Sequence, residues 1–514
     1  MKSFQISLIA ILIMVPFSRS LATQSDSSTL NGLIQQGKQK IYHFQLDEAL
    51  EIFSRIQNEY PDKPHGFFYT SYLYAIFYSQ DRTNRELDSL LLKTIKQATE
   101  TGENYKQKYP KDPEAHYYLG VSNGVLGIYH VLNSNYLKGY IHGRRAKNHL
   151  EDAVEIDSTC YDAYLGLGIF HYYVDLLPGI VRFFAGILGF HGDRSKGMEE
   201  IGLTLRQGQF FRAEAEFVYA VIRYFLEGDY HGGLNTFLRL HRLYPMNPAM
   251  TLLIGYHYRR HGQIEKAKKL FESVREVFSE KLPQITVMKY YNLGVCYFRL
   301  NDFSRAEDYF NELLDTSLRK SPYYQAALAY YKGLLAGLNF RQKEADYFLS
   351  MIYKNRDTEY WYNMSRLFIR YPFDSLMVDY VIAENYLYTF NYQAASVQIP
   401  ELIVRLEKLE AGSYHPDLPY LIKDLEARMN FQGGQVNEAR GIYQSFIEKL
   451  NELDDDFQKA WIYIAYARVL RELKEWEKSE EMLKKADSTD DEYTRIIIER
   501  EKYILKNLRS NKKT

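Results

Sequence analysis

The stretch "YNLGVCYFRLNDFSRAEDYFNELL", Tyr291 to Leu314, decides the fold. Its apolar residues recur at helical spacing on both sides of a polar turn, so it reads as two short helices folded back on each other. Gly294 is a small residue in the first helix. Ala306 follows twelve residues later in the second, and Phe310 and Leu313 come three and four residues apart after it. Small residues let two helices approach closely, and the large ones one turn on fill the seam beside them.

The spacing repeats along the chain. Gly255, Ala267, Phe271 and Val274 carry it, as do Val221, Gly233, Phe237 and Leu240, and Ala467, Ser479, Leu483 and Ala486. Gly37, Ala49 and Phe53 form the first copy, which ends at Pro61; Gly333, Ala345 and Leu349, and Ala427, Ala439 and Tyr443, are looser ones. Seven copies with one offset resemble the tetratricopeptide repeat family across nearly all of the chain after its first residues. The expected fold is all-α: a solenoid of about eleven helical hairpins closed by a capping helix near Glu492–Leu508. "DTEYWYNMSRLFIRYPFDS" (Asp357–Ser375) fits no copy and reads as a linking helix. Pro400 is expected either to start a helix late or to kink one.

The period swells in two adjacent hairpins. Gly120 to Ala146 spans 26 residues in place of twelve, and Gly168 to Gly197 spans 29. Insertions in a repeat array tend to collect on one face and to carry specific function. The second insertion, "DLLPGIVRFFAGILGF" (Asp175–Phe190), has Pro178 followed by Ile180, Phe184, Ile187 and Leu188 on one helical face. The short helix this makes is about ten residues long with Arg182 inside, too short to span a bilayer. Phe183, Phe184 and Ile187 are its contact residues. They are expected to pack within the array, with a membrane-surface or lipid contact as the alternative. In "GFHGDRSKG", Asp193 or Ser195 is expected to cap a helix beginning near Lys196. Arg194 is expected to pair with Asp193 or reach a carbonyl.

Across "LGLGIFHYYVDLLPGIVRFFAGILGFHGDRSKGMEEI", Gly166, Gly168, Phe170, Leu176, Leu177, Pro178, Gly189, Phe190, Gly192, Asp193, Arg194 and Gly197 resemble the tetratricopeptide family that includes inclusion-body clearance proteins and the domain-39 proteins. The resemblance is specific over Gly120 to Gly202 and generic beyond it. It implies a shared architecture for the insertion. That family is associated with lipid droplets, sterol handling and protein clearance, and its members are intracellular.

This chain departs from them at its start. Lys2, the apolar run Ile6–Phe17 and the small residues Ser20 to Ala22 read as an export signal cleaved before Thr23. Thr23 is not Cys, so no lipid anchor is expected. In a bacterium such a protein is periplasmic or associated with the outer membrane. The 514 residues carry 64 Lys and Arg against 65 Asp and Glu, which argues against nucleic acid as a partner. Cys160 and Cys296 read as two small core residues rather than a disulfide.

The chain has no phosphate-binding loop or zinc-protease motif. His142, His149, His171 and His191 fall in the extended hairpins without metal-ligand spacing. No catalytic, cofactor or metal residue is assigned, and the chain reads as a non-enzyme. In the known repeat geometry, positions one, four and five after the small residue face the concave groove. They include Tyr172, Tyr173, Phe225, Tyr256, Arg259, Arg260, Phe298 and Arg299, an aromatic stretch followed by a basic one. Tyr and Arg dominate interface hot spots. The expected function is an exported scaffold binding a protein or peptide, with an acidic segment favoured; the alternative is a membrane- or lipid-associated protein using 175–190. The expected divisions are a signal at 1–22, hairpins at 23–112, extended hairpins at 113–212, central repeats at 213–356, an irregular helical segment at 357–419, and terminal repeats with the cap at 420–514.

Overall fold

A computed structural model describes residues 29–82, 84–176, 192–275, 282–315, 320–355, 357–371, 373–410, 412–487 and 492–510. Residues 1–22, where an export signal is expected, and the insertion residues Pro178, Arg182, Phe183, Phe184, Ile187 and His191 lie outside them. Among the described residues there are 24 α-helices and no strand.

The helices pair in sequence. The pairs are α1 (Leu30–Tyr42) with α2 (Leu46–Glu59), α3 (His65–Gln80) with α4 (Arg85–Lys108), α5 (Pro113–Leu132) with α6 (Tyr136–Ile156), α7 (Ala163–Asp175) with α8 (Arg194–Gln207), and α9 (Arg212–Val221) with α10 (Tyr230–Leu243). They continue as α11 (Pro248–Arg260) with α12 (Ile264–Ser273), α13 (Pro283–Arg299) with α14 (Phe303–Asp315), and α15 (Pro322–Leu338) with α16 (Gln342–Ser350). After the single helix α17 (Glu359–Arg370) come α18 (Ser375–Tyr388) with α19 (Tyr392–Glu407), α20 (Leu418–Gln432) with α21 (Val436–Phe446), and α22 (Asp456–Glu472) with α23 (Trp476–Ala486). The cap is α24 (Glu492–Ser510). Among the described residues the count is eleven hairpins, with the linking helix and the cap where the spacing places them.

The seams show why the spacing holds. A Cβ on Gly294 would lie 2.6 Å from the Phe310 ring, and one on Gly255 2.5 Å from the Phe271 ring. Only hydrogen fits there at this interhelical distance. The rule survives the insertions. Gly120 meets Leu150, four residues after Ala146, and Gly168 meets Ile201, four after Gly197.

Eight hairpins turn in the same way. At Phe44, Ser134, Gly262, Asn301, Phe340, Phe390, Gly434 and Lys474 the backbone has positive φ. In each, the next residue's N–H donates to the carbonyl five residues back, as Gln45 does to Lys40 at 2.7 Å and Glu475 to Leu470 at 2.9 Å. This closes a Schellman turn, which satisfies the last carbonyls of the first helix. Phe390 belongs to a hairpin that the sequence reading took as irregular. Ala383, Ala395 and Ile399, all fully buried, repeat the same offsets in α18 and α19. Pro400 sits inside α19 without breaking it, so the late start expected there does not occur.

The first insertion becomes helix. It lengthens both arms of the α5–α6 hairpin, where a Cβ on Gly127 would come 3.3 Å from the Gly143 nitrogen. The base of the second insertion is tied. Asp193 caps α8 by accepting from the Lys196 N–H at 3.0 Å. Arg194 Nε lies 2.7 Å from Asp175 Oδ2 rather than pairing with Asp193. Cys160 and Cys296 are free thiols, half-buried and buried respectively.

The chain divides into two compact units. One comprises the described residues to 225 with 229–250, and the other 226–228 with 251 onward.

Candidate functional site

In the N-terminal unit, the first-helix face is filled by the chain itself. Lys38, one position after the small residue Gly37, is fully buried and ion-paired with Glu214 of α9. Its Nζ also lies 3.8 Å from the centre of the Phe211 ring. Phe211 stacks on Tyr69 of α3, with centroids 6.1 Å apart. The turn that carries Phe211 is held by Asp162, whose carboxylate accepts from the Phe210 and Phe211 N–H groups at 2.9 Å each. Burial pushes the Glu214 carboxyl up to about 7, against the pull of the Lys38 ammonium. Of the aromatic groove residues expected in this unit, Tyr172 and Phe225 are buried and Tyr173 is half-buried. Tyr172 and Phe225 therefore serve packing and present no face to a ligand.

The C-terminal unit keeps its basic residues nearer the surface. Phe298 is buried against Tyr331, with ring centres 5.1 Å apart, and is likewise a packing residue. Tyr256, Arg259, Arg260 and Arg299 are half-buried. Arg259 Nη1 donates to Tyr388 Oη at 3.3 Å. Arg299 Nη1 donates to Asn385 Oδ1 at 2.9 Å and lies 3.6 Å from Glu384 Oε2, with its guanidinium 4.3 Å from the Tyr388 ring centre. Arg260 Nη1 donates to Tyr256 Oη at 3.0 Å and to Tyr493 Oη of α24 at 3.4 Å. Helices α11, α13, α18 and α24 thus share one face of tyrosines and guanidiniums.

The electrostatics of this face are lopsided. Among the described residues Arg259 pairs with no carboxylate, and its Nε is buried without a hydrogen bond. Burial opposes ionisation of the Tyr256 phenol, yet Arg260 and Arg259 draw it below the ordinary tyrosine range. A half-buried cation among neutral phenols has lost water without gaining a counter-charge. Such a site favours a carboxylate that brings two hydrogen-bond acceptors.

The cap closes one end of the face. Arg500 of α24 is buried, and Glu501 receives Arg468 at 2.9 Å as well as Arg471. Burial alone would raise the Glu501 carboxyl, but these guanidiniums with Arg500 hold it down at about 2. Tyr493 packs on Tyr360 with centroids 5.0 Å apart.

Sequence reasoning missed Glu384 and Tyr388 although a signal existed. They stand one and five positions after Ala383, the small residue of the hidden repeat. Lys38 was legible in the same way after Gly37. Tyr493 has no sequence signal, because its place depends on where the cap docks. No described helix is long and apolar enough to cross a membrane.

Residues 90–354 match the model of the family described as Iml2/Tetratricopeptide repeat protein 39. The match runs well beyond the 120–202 region where the sequence resemblance was specific, and it includes Arg259 and Arg299. A comparison with curated protein sequences found no match. Among solved structures, the chain is similar to a human IFIT1 dimer with m7Gppp-AAAA at 13% identity, covering 79% of this chain and 94% of that one, with TM-score 0.38. It is similar to the yeast Tom70 at 14% identity, covering 94% and 96%, with TM-score 0.26. It is also similar to the P58(IPK) TPR domain at 13% identity, covering 82% and 98%, with TM-score 0.20.

Proposed function

The chain belongs to the Iml2/tetratricopeptide repeat protein 39 family, and from that premise we propose that it is a non-enzymatic binding scaffold whose C-terminal unit takes a carboxylate-bearing protein segment. The observation that supports this most is Arg259, a half-buried guanidinium bonded to Tyr388 and, among the described residues, paired with no carboxylate. Arg299 extends the basic character along α13, and Tyr323 of α15 is an exposed aromatic side chain in the same unit. Tyr and Arg together supply apolar area and directed donors at low entropic cost, which is the composition of interface hot spots. The groove contacts proposed are Tyr256, Arg259, Arg260 and Arg299.

We propose further that residues 1–22 direct export, on the strength of Lys2, the apolar run Ile6–Phe17 and the small residues before Thr23. The scaffold would then meet its partner outside the cytoplasm.

The experiment is affinity enrichment from the native envelope with the wild-type chain and an Arg259→Met/Arg299→Met variant shown to be folded. The proposal expects a partner recovered by the wild type to be depleted with the variant. Equal recovery of every partner by both chains overturns the assignment of this face.

A further inference from the structure

We propose that His116, His149 and Asp152 form a binding site for a borderline divalent cation such as Zn²⁺ or Ni²⁺. His116 lies on α5, while His149 and Asp152 lie one turn apart on α6, so the hairpin itself brings them together. One nitrogen of each imidazole and one carboxylate oxygen all fall within 4.8 Å of one another.

The hydrogen bonds set the argument. His116 Nε2 lies 3.1 Å from the Pro110 carbonyl oxygen, which can only accept, so Nε2 carries a proton. This arrangement, a backbone carbonyl holding the far nitrogen, is the usual support behind a metal-ligating histidine. It turns Nδ1 toward Asp152 Oδ2 at 3.2 Å. His149 Nδ1 approaches the same oxygen at 3.8 Å and is buried without a hydrogen-bond partner.

Three potential donor atoms therefore converge, one of them a buried nitrogen with no hydrogen-bond partner. A proton on His116 Nδ1 would settle that ring against Asp152 and leave the His149 nitrogen still bare. One divalent cation at the centre satisfies all three. Bonds of about 2.0–2.2 Å in a tetrahedral site put donor atoms roughly 3.3–3.6 Å apart. The observed 3.2 and 3.8 Å bracket that range. Two imidazoles and one carboxylate suit Zn²⁺, Ni²⁺ or Cu²⁺ and are poor for Mg²⁺ or Ca²⁺, which prefer oxygen ligands. Lys106 does not defeat the site, because Glu103 neutralises it at 3.0 Å. Asp152 is about half exposed, which leaves room for water to complete the coordination. A cation here would pin the root of the extended α5–α6 hairpin to the α4–α5 turn through Pro110.

The test is calorimetric titration of the full chain with ZnCl₂ and NiCl₂, with CaCl₂ as a contrast, alongside thermal unfolding with and without metal. His149→Ala and the near-isosteric Asp152→Asn are compared with His261→Ala, which alters a different histidine pair. The expected result is one equivalent of Zn²⁺ or Ni²⁺ bound by wild type and by His261→Ala, with the unfolding midpoint raised by the metal. His149→Ala and Asp152→Asn should each bind about tenfold more weakly or worse, the scale seen when metal sites are disturbed. The metal-free midpoint of Asp152→Asn serves as the folding check. No saturable binding by the wild type, or equal binding by wild type and both ligand variants, overturns the site.

Discussion

Arg259 donates to the Tyr388 phenol oxygen at 3.3 Å and, among the described residues, to no carboxylate, so a cation of α11 is held by a neutral ring of α18. A protein optimised for stability alone would place an acid or an apolar side chain there. Replacing a poorly compensated charge with an apolar residue of similar volume is often neutral or stabilising. Arg259→Met is therefore expected to keep or raise the thermal midpoint while losing binding. Differential scanning calorimetry of both chains checks the first half. A clear fall in midpoint would mean that Arg259 serves the fold.

The buried pair Lys38–Glu214 should behave in the opposite way. Removing one partner strands the other charge, which costs about 3–5 kcal/mol. Glu214→Gln and Lys38→Met are each expected to destabilise the N-terminal unit, and the double variant to be less destabilised than either single one. Denaturant unfolding of the four chains measures the coupling. Simple additivity would contradict the pairing.

The seam predicts a further pair of variants. Gly294→Ala gains up to about 1 kcal/mol of helix propensity but forces a methyl against Phe310, and overpacking costs about 1–3 kcal/mol. The overlap wins, because the methyl would lie 2.6 Å from the ring. A net loss of stability is expected, with partial rescue by Phe310→Leu. Rescue is absent if the two residues do not share the seam.

The turns give a stabilising change. Lys474 holds φ at 62°, where a side chain is strained and glycine is not. Lys474→Gly should stabilise the C-terminal unit by about 0.5–1 kcal/mol, the left-handed penalty less the extra freedom of glycine in the unfolded chain. A loss of stability in chemical denaturation would contradict that reading of the turn.

Glu501 ties the cap to pH. Its folded value of about 2 lies below the 4.5 of an ordinary glutamate, so its contribution is present above about 4.5 and is lost as pH falls toward 2. That gap, at about 1.4 kcal/mol per pH unit, is on the order of 3 kcal/mol. Glu501→Gln should cost most at neutral pH, and the difference from wild type should vanish near pH 2. A pH-independent difference would sink the electrostatic account.

Much of this fold was legible because small and large residues recur at fixed offsets. Gly294, Ala306 and Phe310 encode contact between two adjacent helices, which is local in sequence. The same rule marks Ala383, Ala395 and Ile399, where the adjacent Pro400 obscures the helical pattern. The candidate site was legible only in part. Counting from the small residue places a side chain on the first-helix face, and Arg259 and Arg299 stand there. It does not say what else arrives at that face. Phe211 fills the N-terminal unit beside Lys38, and Tyr493 of the cap meets Arg260; both depend on packing between segments far apart in sequence. His116 and His149 lie 33 residues apart for the same reason, since the long hairpin sets their meeting.

The central claim is that the Arg259 face takes carboxylates. Its most direct measurement is fluorescence anisotropy with a labelled glutamate-rich peptide and its glutamine-substituted counterpart, on wild type and on folded Arg259→Met. The account predicts that the wild type prefers the acidic peptide, that the preference fades with salt, and that Arg259→Met weakens it by about fivefold or more, a 1 kcal/mol hot spot. Equal affinity of both proteins for the acidic peptide, or no preference of the wild type for acid over amide, would contradict it.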